Sequence, residues 1–264
     1  QHLEQLRPIS DLQEGVFSGL SIIEKEMIER FQIPEIHPQL KPGLSQAELN
    51  KKEFAFQLSK SIDFSFPRTR IQSGKVVIQD QDQDQDQGYQ LIKMNQSSGS
   101  GGIYRYSPES LGELKVFERI LKLHPEIEVK YLIQEFLPVD RNFYVIGDSR
   151  LAKQNAIACF EIEFKEKSSI LHRRLEAGEK YKSSLMDLGQ KISDRLSAQG
   201  YYGEFGFDGF TANGVLYPCI DLNVRTDKAT MINRASEVLG FTSDDCLLSF
   251  REKWIIPGGF SYLS

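Results

Sequence analysis

FGFDGFTANGVLYPCIDLNVR, residues 205–225, decides how this chain is read. It holds two apolar runs joined by Asn213-Gly214, a dipeptide that suits a tight hairpin because both residues tolerate positive φ. Asp208 interrupts the first run and Asp221 the second. Counting outward from the turn sets residue 208 opposite residue 219, with Asp221 a short diagonal step away on the same sheet. Asn223 lies two beyond Asp221, and strand alternation puts both side chains on one face. Two carboxylates and a carboxamide converging there are hard oxygen ligands, the kind magnesium takes when it bridges polyphosphate. A solvated polar hairpin face would carry the same residues. A buried carboxylate without a partner is costly, however, so the apolar surroundings favour a site.

Upstream, LIKMN (91–95) places Lys93 near the end of a strand, followed by the small-residue run Ser97-Ser98-Gly99-Ser100-Gly101-Gly102. An ammonium and several backbone N–H groups brought together in this way can surround phosphates. No GK[ST] follows, so the pattern is not a Walker loop. YLIQEFLPVDRNF (131–143) is an apolar strand broken at Pro138, and its end, Gln134-Glu135-Phe136-Leu137, is a candidate purine hinge.

The remaining pattern alternates helices with strands. Apolar steps of three and four predict a helix over 11–31, and IPEIHPQLKPG (33–43) reads as an extended arm. A second helix is expected from a Ser45 cap to about Ser61. KVVIQ (75–79) and YQLIKMN (89–95) read as strands around the low-complexity QDQDQDQDQG loop. A helix is expected after Ser107. Residues 142–147 and 150–164 form a meander across Gly147-Asp148, followed by a charged loop or short helices over 165–182. A helix from about Glu179 to Gly200 and a last one over 226–239 complete the pattern. The expected class is α+β, with antiparallel sheets flanked by helices.

The composition fits this reading. The 264 residues are 40% hydrophobic and 26% charged with a net charge of -5, which argues against non-specific binding to nucleic acid. No apolar run reaches the roughly 20 residues that span a bilayer, so a cytoplasmic protein with no membrane partner is expected. Cys159, Cys219 and Cys246 form no CxxC pair and read as core fillers, leaving no thiol nucleophile.

Lys52 in LNKKEFAFQL, Lys93 with the 97–102 loop, the hinge 134–137 and Asp208…Asp221-Leu222-Asn223 come in an order that resembles the ATP-grasp superfamily over about residues 45–235. The resemblance implies an ATP-grasp fold, two α+β lobes with antiparallel sheets enclosing a nucleotide cleft. Residues 1–44 would be an N-terminal helix and arm, 45–128 the lobe with the phosphate loop, and 129–264 the lobe with the adenine hinge and metal site. It implies ATP and Mg2+ as cofactors. Lys52, Lys93 and the loop Ser98, Gly99, Ser100, Gly101 and Gly102 would lie on phosphates. Gln134, Glu135, Phe136 and Leu137 would hold adenine, and Asp140 or Asn142 ribose. Asp208, Asp221 and Asn223 would hold metal, with Arg225 and Lys228 on the transferred phosphate.

The activity it implies is a carboxylate–amine ligase working through an acyl phosphate. A kinase of a hydroxyl acceptor and a non-catalytic nucleotide-binding protein are the alternatives. The substrates would be small-molecule or peptide carboxylates and amines. Three positions depart from the family pattern. Asp221 stands where glutamate is usual, DRNF (140–143) replaces the usual acidic ribose ligand, and only about 45 residues precede the Lys52 helix. A homodimer or another partner would then complete the acceptor site. Lys165, Lys167, His172, Arg173, Arg174, Lys180 and Lys182 form a basic cluster that could close over an anionic substrate. Arg141, Lys153 and Arg234 are further anion candidates.

Overall fold

A hairpin at 204–223 forms the edge of the largest sheet in the computed structural model. The structure describes residues 38–73, 90–95, 103–106, 130–151, 158–165, 169–227, 229–230, 233, 246–249, 254–256 and 260–262. In chain order these hold β1 (Gln39–Leu40), α1 (Gln46–Leu49), α2 (Lys52–Ile62), β2 (Thr69–Ser73), β3 (Gln90–Met94), β4 (Ile103–Tyr106), β5 (Lys130–Glu135), β6 (Arg141–Asp148), β7 (Ala158–Lys165) and β8 (Ser169–Arg174). Then follow α3 (Lys182–Gln199), β9 (Tyr201–Tyr202), β10 (Glu204–Ala212), β11 (Val215–Asn223), β12 (Cys246–Ser249), β13 (Trp254–Ile256) and β14 (Phe260–Tyr262). An eight-stranded sheet runs β11-β10-β6-β7-β8-β12-β13-β14, a four-stranded sheet runs β2-β5-β3-β4, and β1 pairs with β9. Every neighbouring pair is antiparallel. The α+β class is therefore observed.

The large sheet has a core face and a site face. Phe143, Val145, Cys159, Phe205, Phe207 and Leu222 pack in one cluster with Leu185, Leu188, Ile192 and Leu196 of α3, the stripe expected from the sequence. Leu185, Ile192 and Leu196 are fully buried, and each stabilises the fold by about 2 kcal/mol. Gly200 ends α3 in the left-handed region (φ 92), again as expected. The alternate residues Asn142, Tyr144 and Asp208 face the other way.

Several expectations are corrected. The helix expected over 45–61 is two helices. Ser45 makes no side-chain cap, and the chain breaks at Asn50, whose amide instead binds the backbone of Val224. The charged stretch 165–182, expected as a loop or short helices, contains β8, because β7 offers it a full antiparallel partner. The helix expected from Glu179 begins at Lys182, and β6 runs through Asp148 instead of turning at Gly147-Asp148. Strands β12, β13 and β14 were not foreseen in a sequence of such weak alternation. Residues 130–135, grouped by the sequence with the C-terminal lobe, are hydrogen-bonded into the four-stranded sheet between β2 and β3. The expected elements at 11–31, 75–79 and after Ser107, the Gln/Asp tract and the 97–102 loop lie outside the described residues. Of the expected helix over 226–239, residues 226–227, 229–230 and 233 are described; 229, 230 and 233 are helical, whereas 226–227 are not.

Candidate functional site

Residues Asn213 (φ 50) and Gly214 (φ 75) make the expected tight turn of the hairpin. The register beyond it differs from the count. Phe210 pairs with Tyr217, but the ladder then shifts, so that Asp208 pairs directly with Asp221 instead of with residue 219. Two extra residues in β11 take up the slip, and the close approach of the Pro218 carbonyl leaves no room for a side chain at Gly209. The shift makes a diagonal pair of carboxylates into a facing pair, an arrangement that destabilises a sheet through like-charge repulsion.

Two lysines approach this pair from the other side. Helix α2 packs along β11, and Lys52, its first residue, is 5% exposed with its ammonium paired to Asp221 Oδ2. The turn before α2 is pinned to the end of β11. Asn50 Oδ1 accepts from the Val224 N–H (2.8 Å), and the Gln46 amide donates to the Val224 carbonyl (2.7 Å). Asn95, at the end of β3, caps α2, its carbonyl accepting from the Lys52 N–H (3.0 Å) and its Oδ1 from the Glu53 N–H (2.9 Å). Lys93, two residues before Asn95, is 4% exposed. Burial pulls its ammonium down to about 8; Asp221 and Asp208 oppose that shift and Lys52 adds to it. Asp208 is pushed up to about 7, by burial and then by the charge of Asp221, against the pull of Lys52 and Lys93.

A second layer orients the amide of Asn223. Its Nδ2 lies 3.3 Å from Tyr144 Oη and 3.5 Å from Asp208 Oδ2, and its Oδ1 accepts from Arg225 (3.0 Å). The Tyr144 hydroxyl donates to Asp227 Oδ2. Asp227 Oδ1 in turn accepts from the backbone N–H (2.9 Å) and hydroxyl (3.0 Å) of Thr230. A side chain at Gly206 would meet both Tyr144 Oη and Asp227 Oδ2 at under 3 Å, so glycine is required beneath this network.

The donor set suits a divalent cation. Asp221 Oδ1 is buried and has no hydrogen-bond partner, leaving a hard oxygen available beside Asp208 and Asn223. Among the described residues no three His, Cys, Asp or Glu side chains cluster as a metal site, so a cation here would rest on two carboxylates and a carboxamide.

The other sequence candidates divide. Gln134 is buried and its amide donates to Thr69 Oγ1 (3.0 Å). Glu135 is tied on both sides to Arg68: its N–H donates to the Arg68 carbonyl, and its carboxylate accepts from the Arg68 N–H and Nε. Phe136 and Leu137 follow the strand end, half-buried. Asn142 lies on the Asp208 face, whereas Asp140 is exposed and faces the Gly214 N–H at 3.5 Å. Arg141 and Arg173 are on the core face, paired with Glu161 and Glu179, so neither joins the site. Lys182 donates to the Leu175 carbonyl, and Lys180 sits over the Tyr181 ring. Among the described residues of the expected basic cluster, Arg173 is taken up by its acidic neighbours Glu161 and Glu179. Lys228, Lys153, Lys167 and Arg234 lie outside the described residues, and Cys159 and Cys219 are buried as expected. Tyr144, Asp227, Asn50 and Asn95 were not singled out in the sequence. Only Tyr144 left a signal there, as a hydroxyl set two residues from Asn142 in an apolar strand.

No protein-family model matches the sequence, and no curated protein matches it. The folded chain is similar to solved structures. One is D-alanine–D-alanine ligase from Bacillus anthracis complexed with ATP, at 11% identity and a TM-score of 0.51 over 85% of this chain and 70% of that one. Another is phosphoribosylamine–glycine ligase from Thermotoga maritima, at 13% identity and 0.56 over 78% and 59%. A third is an L-amino acid ligase from Bacillus licheniformis, at 11% and 0.51 over 82% and 58%. The chain thus spans less than two thirds of the length of the last two.

Proposed function

We propose that this chain, which has the ATP-grasp fold, is an ATP- and Mg2+-dependent ligase that joins a carboxylate to an amine. The observation that carries the reading is the convergence of Lys52, Lys93, Asp208 and Asp221, drawn from α2, β3, β10 and β11, where the small sheet meets the edge of the large one. Charge so concentrated, partly buried and imperfectly satisfied weakens a fold and is retained where it serves chemistry.

In this reading Asp208, Asp221 and Asn223 would hold the metal, which supplies charge neutralisation to the polyphosphate. Lys52 and Lys93 would bind phosphate oxygens, and the 98–102 loop, which lies outside the described residues, would add backbone N–H donors. Adenine would lie along residues 136–137, since the Glu135 N–H is already used. Asn142 would reach ribose. An acceptor carboxylate oxygen attacks the γ-phosphorus, the bond to the leaving oxygen of ADP breaks, and an acyl phosphate results. The amine then attacks the acyl carbon, inorganic phosphate departs, and the amine gives up a proton as the amide forms. Arg225, held by Asn223, would balance charge on the transferred phosphoryl group, a role that Lys228, outside the described residues, would share. These groups position and neutralise; none forms a covalent bond to substrate.

The test is to incubate the chain with ATP, Mg2+ and pooled carboxylates and amino acids, and to search for amides by mass. Release of ADP and phosphate that requires both carboxylate and amine, together with a new amide, is expected. A stable phosphorylated acceptor formed without amine would assign a kinase instead. Nucleotide binding without turnover on any pool would assign a binding protein.

A further inference from the structure

Lys52 is in an unfavourable place for a cation. It is the first residue of α2, where the helix dipole presents partial positive charge, it is 5% exposed, and a second buried lysine, Lys93, lies within electrostatic reach. What holds it there is Asp221, whose Oδ2 accepts from its ammonium while Oδ1 is buried with no partner. The backbone of Lys52 is clamped by Asn95 at the end of β3, while Asn50 ties the preceding turn to Val224. The clamp leaves only the flexible four-carbon side chain free to move.

We infer that Lys52 is a resident cation of the carboxylate pair, competing with a divalent ion for Asp221 and released from it when that ion arrives with nucleotide. The inference rests on the metal-site reading given above. The charge count explains the coupling to nucleotide. Lys52 and Lys93 balance Asp208 and Asp221, so a divalent ion entering alone would leave two surplus positive charges in a poorly solvated cluster. A polyphosphate arriving with the ion removes that surplus and gives the displaced ammonium a new anionic partner. The unpartnered Oδ1 lets the ion take hold of Asp221 before Lys52 lets go of Oδ2. Metal without nucleotide therefore binds weakly, and Lys52 is the reason.

The full chain is titrated with Mn2+, free ion being measured by electron paramagnetic resonance, without and with a non-hydrolysable ATP analogue. Lys52→Met is expected to bind Mn2+ alone about tenfold more tightly than the parent. Lys52→Arg, which keeps the charge, is expected to show no such gain, and adding Asp221→Asn to Lys52→Met should abolish it. Parent-like Mn2+ affinity in Lys52→Met overturns the inference. A measurement on the unmutated protein guards against misfolding of the variant. Acylation of Lys52 by an amine-reactive reagent, read by peptide mass, should be slow in the empty protein and faster when Mn2+ saturates it. Unchanged labelling with Mn2+ bound also overturns the inference. If the parent binds no Mn2+ even with the ATP analogue, the metal site itself falls. If it binds Mn2+ with the analogue but Lys52 neither competes nor moves, only the role of Lys52 falls.

Discussion

The large sheet carries two clusters of the same composition, two cations and two carboxylates, on its opposite faces. On the core face, Arg141 and Arg173 alternate with Glu161 and Glu179, with contacts of 2.5–3.8 Å. On the site face, Asp208 and Asp221 stand directly opposite one another, and Lys52 is joined to Asp221 alone. The pKa shifts run in opposite directions. Hydrogen bonding to Arg173 holds Glu179 down at about 2, and hydrogen bonding to Arg141 lowers Glu161. Burial pushes Asp208 up to about 7 and pulls Lys93 down to about 8. Equal charge counts therefore say little, and the arrangement decides. The alternating cluster acts as a strut, and the facing one stores unfavourable charge that a ligand can relieve.

The largest effect should follow Asp208→Asn. Mg2+-dependent binding of a fluorescent ATP analogue should weaken on the order of 100-fold or more, since loss of even a residue behind a metal ligand costs 10–100-fold. Without metal, the same variant should melt above the parent at pH 8. The sign follows from the raised pKa. Between about 3.8 and 7 the folded parent binds more protons than the unfolded chain, so stability from Asp208 is full below 3.8 and is lost as pH rises to about 7. The melting difference should shrink toward pH 4. A variant that melts below the parent at every pH would make the two clusters alike.

A smaller loss is expected from Tyr144→Phe, which removes the hydroxyl between Asp227 and Asn223 but touches no carboxylate of the pair. Metal-dependent nucleotide affinity should fall about tenfold with little change in melting temperature. An unchanged affinity would remove Tyr144 from the site.

The smallest effect belongs to the strut. Arg173→Met should leave nucleotide binding unchanged and lower stability by about 1 kcal/mol, because Arg173 is more than a third exposed and solvent screens its pairs. The stability that Glu179 contributes is present above about 4.5 and disappears as pH falls toward about 2. The acid limb of the parent's stability curve should therefore be steeper than that of Arg173→Met. A loss of nucleotide binding in this variant would erase the distinction between the two faces.

Local physics determined much of what the sequence revealed. The Asn213-Gly214 turn, the α3 stripe ending at Gly200, and the apolar strands around Asp208 and Asp221 all follow from backbone preference and side-chain period. Lys93, Asp208 and Asp221 were legible because charged groups in apolar or small-residue settings are expensive, Asn223 because strand alternation sets it beside Asp221, and Lys52 only through the resemblance in motif order. Strand β8 was hidden because its charged sequence carries no apolar alternation and is stabilised by pairing with β7 and β12. The split at Asn50 was hidden because its cause, the backbone of Val224, lies 174 residues away. The register that brings Asp208 opposite Asp221 depends on an irregularity in β11 that turn counting misses. Only the tertiary structure decided that Lys52 lies on Asp221 while Arg173 lies on Glu161. The sequence supplies the charges, but the desolvation and distances that make one set a strut and the other a site exist only after the sheets and α2 have packed.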